Sequence, residues 1–272
     1  ILQTKGDRVL DRPLSEIGDK GLFVSEFEQA LLEEKIDLAV HSAKDLPGRL
    51  AAGLTIAAVL PRGDVRDVLL LPKGAKGPGE ERPFCLGTGS QRRILQAGLL
   101  WEGVSCQLVR GNVETRIRKL KEGQYDGLLL AKAGLDRLEI GPETEPGLDF
   151  CPLEPERFLP AACQGIIAVE GRCADWERPE EEAAERTADK TAAAVRSVMR
   201  LAAGIDDPVT RLAFETERRA LFNFGADCSA PAAAYCRILP PEETDRGGLW
   251  LKLSVMYAGR ECSGTAPAKE RL

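Results

Sequence analysis

Arg92 and Arg93 follow the turn Gly87-Thr88-Gly89-Ser90 and sit at the opening of a helical stretch that begins at Gln91. A helix N-terminus offers unpaired N–H groups and the positive end of the helix dipole. With the Ser90 hydroxyl and two guanidinium forks added, this pattern predicts a carboxylate or phosphate site. The same pattern recurs downstream. Arg110 ends an apolar stretch, Gly111-Asn112 turns, and Arg116 lies one turn into the next helical period. Two strand-turn-helix anion sites in one α/β unit point to a polyanionic ligand at the carboxyl ends of parallel strands. Spacing alone does not separate phosphates from carboxylates, and the plainer alternative is surface arginines on solvated helices.

The stretch Asp37-Leu38-Ala39-Val40-His41-Ser42-Ala43-Lys44-Asp45-Leu46-Pro47 differs in kind. An apolar strand ends in four polar residues at the carboxyl edge of a sheet. His41 and Ser42 are adjacent on a strand and point to opposite faces, so they form no nucleophile–base triad. The alternative here is a polar loop closed by a surface Lys44–Asp45 ion pair.

Composition narrows the partners. The 272 residues carry a formal net charge of −6, so any anion site is local and works against the overall field. Aromatic residues make up 5% of the chain, too few for base-stacking platforms, and no nucleic-acid partner is expected. The eight cysteines form no Cys-x-x-Cys pair and His41 is the single histidine, so no metal site is expected. Disulfide frameworks belong to small secreted domains, and reduced, mostly buried thiols in the cytoplasm are the expectation. No segment approaches the roughly 18 consecutive apolar residues of a membrane helix, so no membrane association is expected.

These residues have to be positioned by alternating elements. Residues 21–34 place Phe23, Phe27, Ala30 and Leu31 on one helical face. Short strands are predicted at 36–40, 54–59, 65–71, 84–86, 106–109, 126–130 and 164–170. Helices are predicted from Gln91, from Val113 with Asn112 as cap, and over 131–138. Such alternation predicts parallel sheets built from β-α-β units. Residues 74–83 and 141–155 are rich in Gly, Pro and charge and read as loops. The charge run 178–189 reads as a solvated face. Helical segments at 192–203 and 209–221, then alternating strands at 232–238 and 249–257, make the last third α+β.

Taken in order, Lys20-Gly21-Leu22-Phe23, Asp37 to Pro47, Gly87 to Arg93, Arg110 to Arg116, Tyr125-Asp126, Ala133-Gly134-Leu135, Pro160 to Gly165 and Glu217-Arg218 to Pro231 resemble porphobilinogen deaminase (hydroxymethylbilane synthase). Each motif alone is weak, but eight of them stand in the family's order at nearly its spacing. The resemblance covers most of the chain and weakens between Cys173 and Thr210. It implies polymerisation of four porphobilinogen molecules, primed by a dipyrromethane cofactor held through a thioether to Cys228. It implies Asp45 as the catalytic carboxylate. Lys44, Ser90, Arg92, Arg93, Arg110 and Arg116 would bind the cofactor, and Lys20, Arg137 and Arg172 the substrate. It also implies a monomer with two doubly wound α/β domains of the periplasmic-binding-protein kind, at 1–62 with 164–200 and at 66–160, and a small α+β domain at 205–272. The active cleft would lie between the first two. The chain departs from the family pattern at Gly89, where a second serine is usual, at Ala226-Asp227, where Gly-Gly is usual, and at Cys163, where Gly is usual.

Two rival readings are a non-catalytic two-domain binding protein for a polycarboxylated ligand, and an enzyme acting on a phosphorylated one. The second lacks a Gly-x-x-x-x-Gly-Lys-Ser/Thr loop.

Overall fold

The computed structural model describes residues 22–79, 83–173, 201–226, 230–239, 243 and 250–267. Lys20, Cys228, the charge run 178–189 and most of the helix expected at 192–203 lie outside the described residues. By contact clustering the chain falls into two compact units, residues 1–62 with 166–215 and residues 63–165 with 216–271, Leu272 being assigned to the first.

Unit 1 is built on a three-stranded sheet ordered β1-β8-β2, from β1 (Ala39–Ser42), β2 (Leu54–Val59) and β8 (Ile167–Arg172). Helix α1 (Leu22–Leu32) contributes Leu31 to a core with Ala39 and Leu54, while Ala57, Ala58, Val169 and Ala202 form a second cluster. The small residues of β2 permit close approach of neighbouring elements at that second cluster. Strand β8 runs antiparallel to both neighbours.

Unit 2 carries a five-stranded sheet ordered β5-β4-β6-β3-β7, from β3 (Asp67–Pro72), β4 (Phe84–Gly87), β5 (Val104–Gln107), β6 (Gly127–Ala131) and β7 (Leu148–Leu153). Its central strands are apolar on both faces, as strands covered on both sides must be. Val68, Leu70, Leu128 and Leu130 face one side, where they meet Ile117 and Leu120 of α3 (Val113–Lys121) and Leu135 of α4 (Lys132–Arg137). Leu69, Leu71, Leu86 and Leu129 face the other, against Ala97 of α2 (Gln91–Leu100) and Phe158. The period of two therefore sorts one strand into two cores and gives the three-layer, doubly wound arrangement. Parallel pairing joins β4 to β5 and to β6, whereas β3 pairs antiparallel with β6 and β7. The expectation of purely parallel sheets is thus corrected to a mixed sheet. Residues 148–153, expected as loop, form its β7 edge, where only Leu148 is buried and the apolar signal is weak.

The same unit contains an antiparallel meander of β9 (Ala232–Leu239), β10 (Trp250–Tyr257) and β11 (Arg260–Pro267), preceded by α5 (Pro208–Asn223), whose first residues belong to unit 1. Leu159, Ala233 and Met256 form the core beneath it. Among the described residues no helix is long and apolar enough to cross a membrane.

Candidate functional site

The parallel order β5-β4-β6 brings three strand-turn-helix connections to one edge of the unit 2 sheet. Ser90 follows β4 and caps α2, its side chain accepting from the Arg93 N–H at 3.5 Å. Arg110 and Arg116 follow β5, where the Asn112 side chain caps α3 by accepting from the Thr115 N–H at 2.8 Å. Arg137 lies in the short helix after β6. The turn after β5 is held from within: Arg116 Nε donates to Gly111 O at 2.7 Å and Lys119 Nζ to Arg110 O at 3.2 Å. Arg110 itself is half-buried.

Arg92 and Arg93 are both buried and converge on Asp67, the first residue of β3. Asp67 pairs with Ala131 in the β3–β6 ladder, which sets it at this same edge. Arg93 donates to Asp67 Oδ1 from Nη2 at 2.6 Å and from Nε at 3.1 Å, and Gln164 Nε2 reaches the same oxygen at 3.1 Å. Arg92 Nη2 lies 2.7 Å from Asp67 Oδ2 in an ion-pair contact without hydrogen-bond angles. One further donor of each arginine is spent on the framework. Arg92 Nη1 donates to Leu159 O at 2.7 Å, Arg93 Nη1 to Leu129 O at 2.8 Å, and the Arg92 guanidinium stands 5.8 Å over the Phe158 ring.

Burial by itself would raise the Asp67 carboxyl, but the two guanidinium charges outweigh it and hold the group at about 2. Burial also lowers Arg92, against the attraction of Asp67. Among the described residues two buried cations thus share one anion, and Arg92 Nε has no hydrogen-bond partner. An excess positive charge with an orphaned donor is a setting that a further carboxylate suits. The residues present therefore fit a carboxylate-bearing cofactor.

Arg137 Nη2 donates to Gly165 O at 2.6 Å. Gly165 has a φ of +87°, and a Cβ there would stand 2.7 Å from Gly63 O. Two chain segments cross at this point with no room for a side chain, and Gly63 N–H also donates to Gly165 O at 3.0 Å. Nearby, Cys163 takes a φ of 61° and its N–H donates to the buried Glu217 carboxylate at 2.5 Å. Glu217 accepts from Cys236 N–H at 2.7 Å as well, which ties α5 to β9.

In unit 1, Asp45 ends the single 3-10 turn Ala43–Asp45 that follows β1. Its side chain is exposed, and among the described residues it has no hydrogen-bond or ion-pair partner. Lys44 beside it is half-buried. The Lys44–Asp45 ion pair of the plain loop reading is not formed. Arg172 is not brought to Asp45. It lies at the opposite end of β8, opposed to Leu54, and donates from Nη1 to Leu31 O at 2.9 Å and Ile36 O at 2.7 Å and from Nη2 to Asp37 at 3.3 Å.

Asp67 was not singled out by sequence reasoning. The signal was present: a carboxylate opening a strand of buried Val68, Leu69, Leu70 and Leu71 needs a cation. Nothing local identifies that cation as Arg92 and Arg93.

Residues 1–179 match the family model described as porphobilinogen deaminase, dipyromethane cofactor binding domain. The porphobilinogen deaminase of Roseiflexus sp. strain RS-1 is 40% identical over 263 residues, covering 96% of this chain and 78% of that one. That of Roseiflexus castenholzii is 42% identical over 233 residues, 86% of this chain and 69% of the other. The Bacillus subtilis protein of the same name is 37% identical over 246 residues, 90% and 71% of the two chains. Among solved structures, a periplasmic sulfonate-binding protein from Methylobacillus flagellatus superposes over 75% of this chain and 73% of its own with 13% identity and a TM-score of 0.41. With basic turns gathered on one sheet edge and this extent of sequence identity, the chain belongs to the porphobilinogen deaminase family.

Proposed function

We propose that this chain joins four porphobilinogen molecules head to tail, with loss of ammonia at each addition, to give the linear tetrapyrrole hydroxymethylbilane. It is then a deaminating transferase of tetrapyrrole and haem biosynthesis. Besides family membership, one observation carries the reading: basic turns concentrate at one sheet edge of a chain whose net charge is −6. A substrate bearing an acetate and a propionate on every pyrrole accounts for that local excess of cations.

The dipyrromethane, attached by thioether to Cys228, supplies the first pyrroles to which substrate is added. Ser90, Arg92, Arg93, Arg110, Arg116 and Lys44 hold its carboxylates. Lys20 and Arg137 serve the substrate. The exposed Asp45 carboxylate accepts a hydrogen bond from a pyrrole N–H and stabilises the positive charge that develops on the substrate as ammonia departs. Residues 205–272 act as a module of their own, supported by the separate β9–β11 sheet, with residues 1–62 plus 164–200 and 66–160 forming the other two. The enzyme works as a cytoplasmic monomer on a small molecule, with neither nucleic acid nor membrane as partner. A non-catalytic binding protein for a polycarboxylated ligand would share the basic turns but need no covalent group.

The test is intact mass combined with turnover. Protein made in cells that supply porphobilinogen gains the mass of two linked pyrroles, and Cys228→Ala made alongside does not. Wild-type protein of unmodified mass that consumes no porphobilinogen refutes the proposal and favours the binding protein.

A further inference from the structure

We infer that the buried pair His41–Glu170 is a positioning device for Asp45, an inference that rests on Asp45 being the catalytic carboxylate. Strand β1 is short and, among the described residues, lies at the edge of its sheet, paired only with β8. One of its four residues, Val40, is 68% exposed. Four residues of edge strand bury little and specify register weakly, because backbone pairing alone tolerates a slip. Yet the 3-10 turn bearing Asp45 follows directly, and the Ala43 N–H continues the ladder by donating to Ile166 O at 3.0 Å. The register of β1 therefore sets where Asp45 stands.

His41 supplies what the backbone lacks. It opposes Ala168 in the ladder, and its Nε2 reaches diagonally along β8 to Glu170 Oε2 at 2.9 Å. The side chains are 7% and 0% exposed, and the second Glu170 oxygen has no hydrogen-bond partner among the described residues. Among the described residues His41 is thus the one hydrogen-bond partner of a wholly buried carboxylate, and its loss would leave that group without compensation. From the third side the Phe27 ring of α1 meets the imidazole edge-on at 5.9 Å. Glu28, one residue on, is the other carboxylate near the pair. Burial, and then Glu170, raise it, while the Ala51 N–H it accepts and His41 act the opposite way. A one-residue slip of β1 would carry His41 to the exposed face and strand Glu170. The pair accordingly penalises every register except the one that presents Asp45.

The cofactor-loaded enzyme tests this through a double-mutant cycle of Glu170→Leu and Asp45→Asn. A 1 Å misplacement of a reacting group costs about 10²-fold in rate. We expect Glu170→Leu to lower kcat roughly 10- to 100-fold at nearly constant KM, and to cause no further loss in the Asp45→Asn background. Exchange of the backbone amides over residues 39–46 should quicken in the same variant, with or without cofactor. Glu170→Asp keeps the charge but retracts it by one methylene. It goes through the same cycle and carries the test if the leucine variant does not fold. Unchanged kcat in folded Glu170→Leu overturns the inference, as does an equal loss in both backgrounds. Near-normal turnover of Asp45→Asn alone refutes the assignment of Asp45 instead.

Discussion

Replacing Asp67 by Asn removes one negative charge from a site where Asp67, Arg92 and Arg93 are 0%, 3% and 6% exposed. The carboxyl is held at about 2 against an ordinary value of 3.8, and each unit of displacement is worth about 1.4 kcal/mol. The ionised form is thus favoured in the folded protein by about 2 kcal/mol. Stranding two guanidinium groups in the interior raises the cost further, towards the ~3–5 kcal/mol seen when one partner of a buried pair is lost. We expect Asp67→Asn to destabilise unit 2 by about 2–5 kcal/mol at pH 7. Urea unfolding followed by tryptophan fluorescence reports it, since Trp101 stacks on Phe158 at 6.0 Å in the same unit. The pH dependence has a definite sign. A depressed folded-state value means the stabilisation is fully present above about 4 and is lost as pH falls through about 2. The gap between wild type and Asp67→Asn should therefore narrow between pH 5 and pH 2. A gap below about 1 kcal/mol at pH 7, or one that stays constant over that range, would falsify the account of this cluster.

Asp45→Asn should reduce porphobilinogen turnover roughly 10²–10³-fold, the scale of losing one preorganised electrostatic partner, with little change in melting temperature because the side chain is exposed. Gly165→Ala should destabilise by about 1–3 kcal/mol or more, read by denaturant titration. It forces a φ of +87° on an alanine and drives a Cβ to 2.7 Å from a backbone oxygen. Asn112→Ala removes the cap of α3 and should cost about 1 kcal/mol, whereas Asn112→Asp should hold near wild-type stability.

Sequence determined what is local in this protein. Asn112 caps its helix as expected, and Ser90 at the end of its turn caps the next one, because a cap needs only a side-chain oxygen three residues from an N–H. The apolar runs of β3, β4 and β6 were legible because strands covered on both faces read as unbroken hydrophobic stretches. The arginines Arg92, Arg93, Arg110 and Arg116 were singled out by type and spacing, Asp45 by the family resemblance, and the family by the order of its motifs. Strand β11 escaped notice because residues 260–267 are exposed throughout, and without a buried face there is no periodicity to see. β1 was expected at 36–40 and occupies 39–42, since the apolar run starts before the residues that pair with β8 and the pairing continues through the polar His41 and Ser42. Only the tertiary structure decided that β3 runs against β6, that Asp67 at its head pairs with arginines 25 and 26 residues later, and that His41 meets a carboxylate 129 residues away. No spacing rule encodes such pairs. A charge seeks a partner only after folding has taken it out of water, and which partner it finds depends on the chain closure that brings distant strands together.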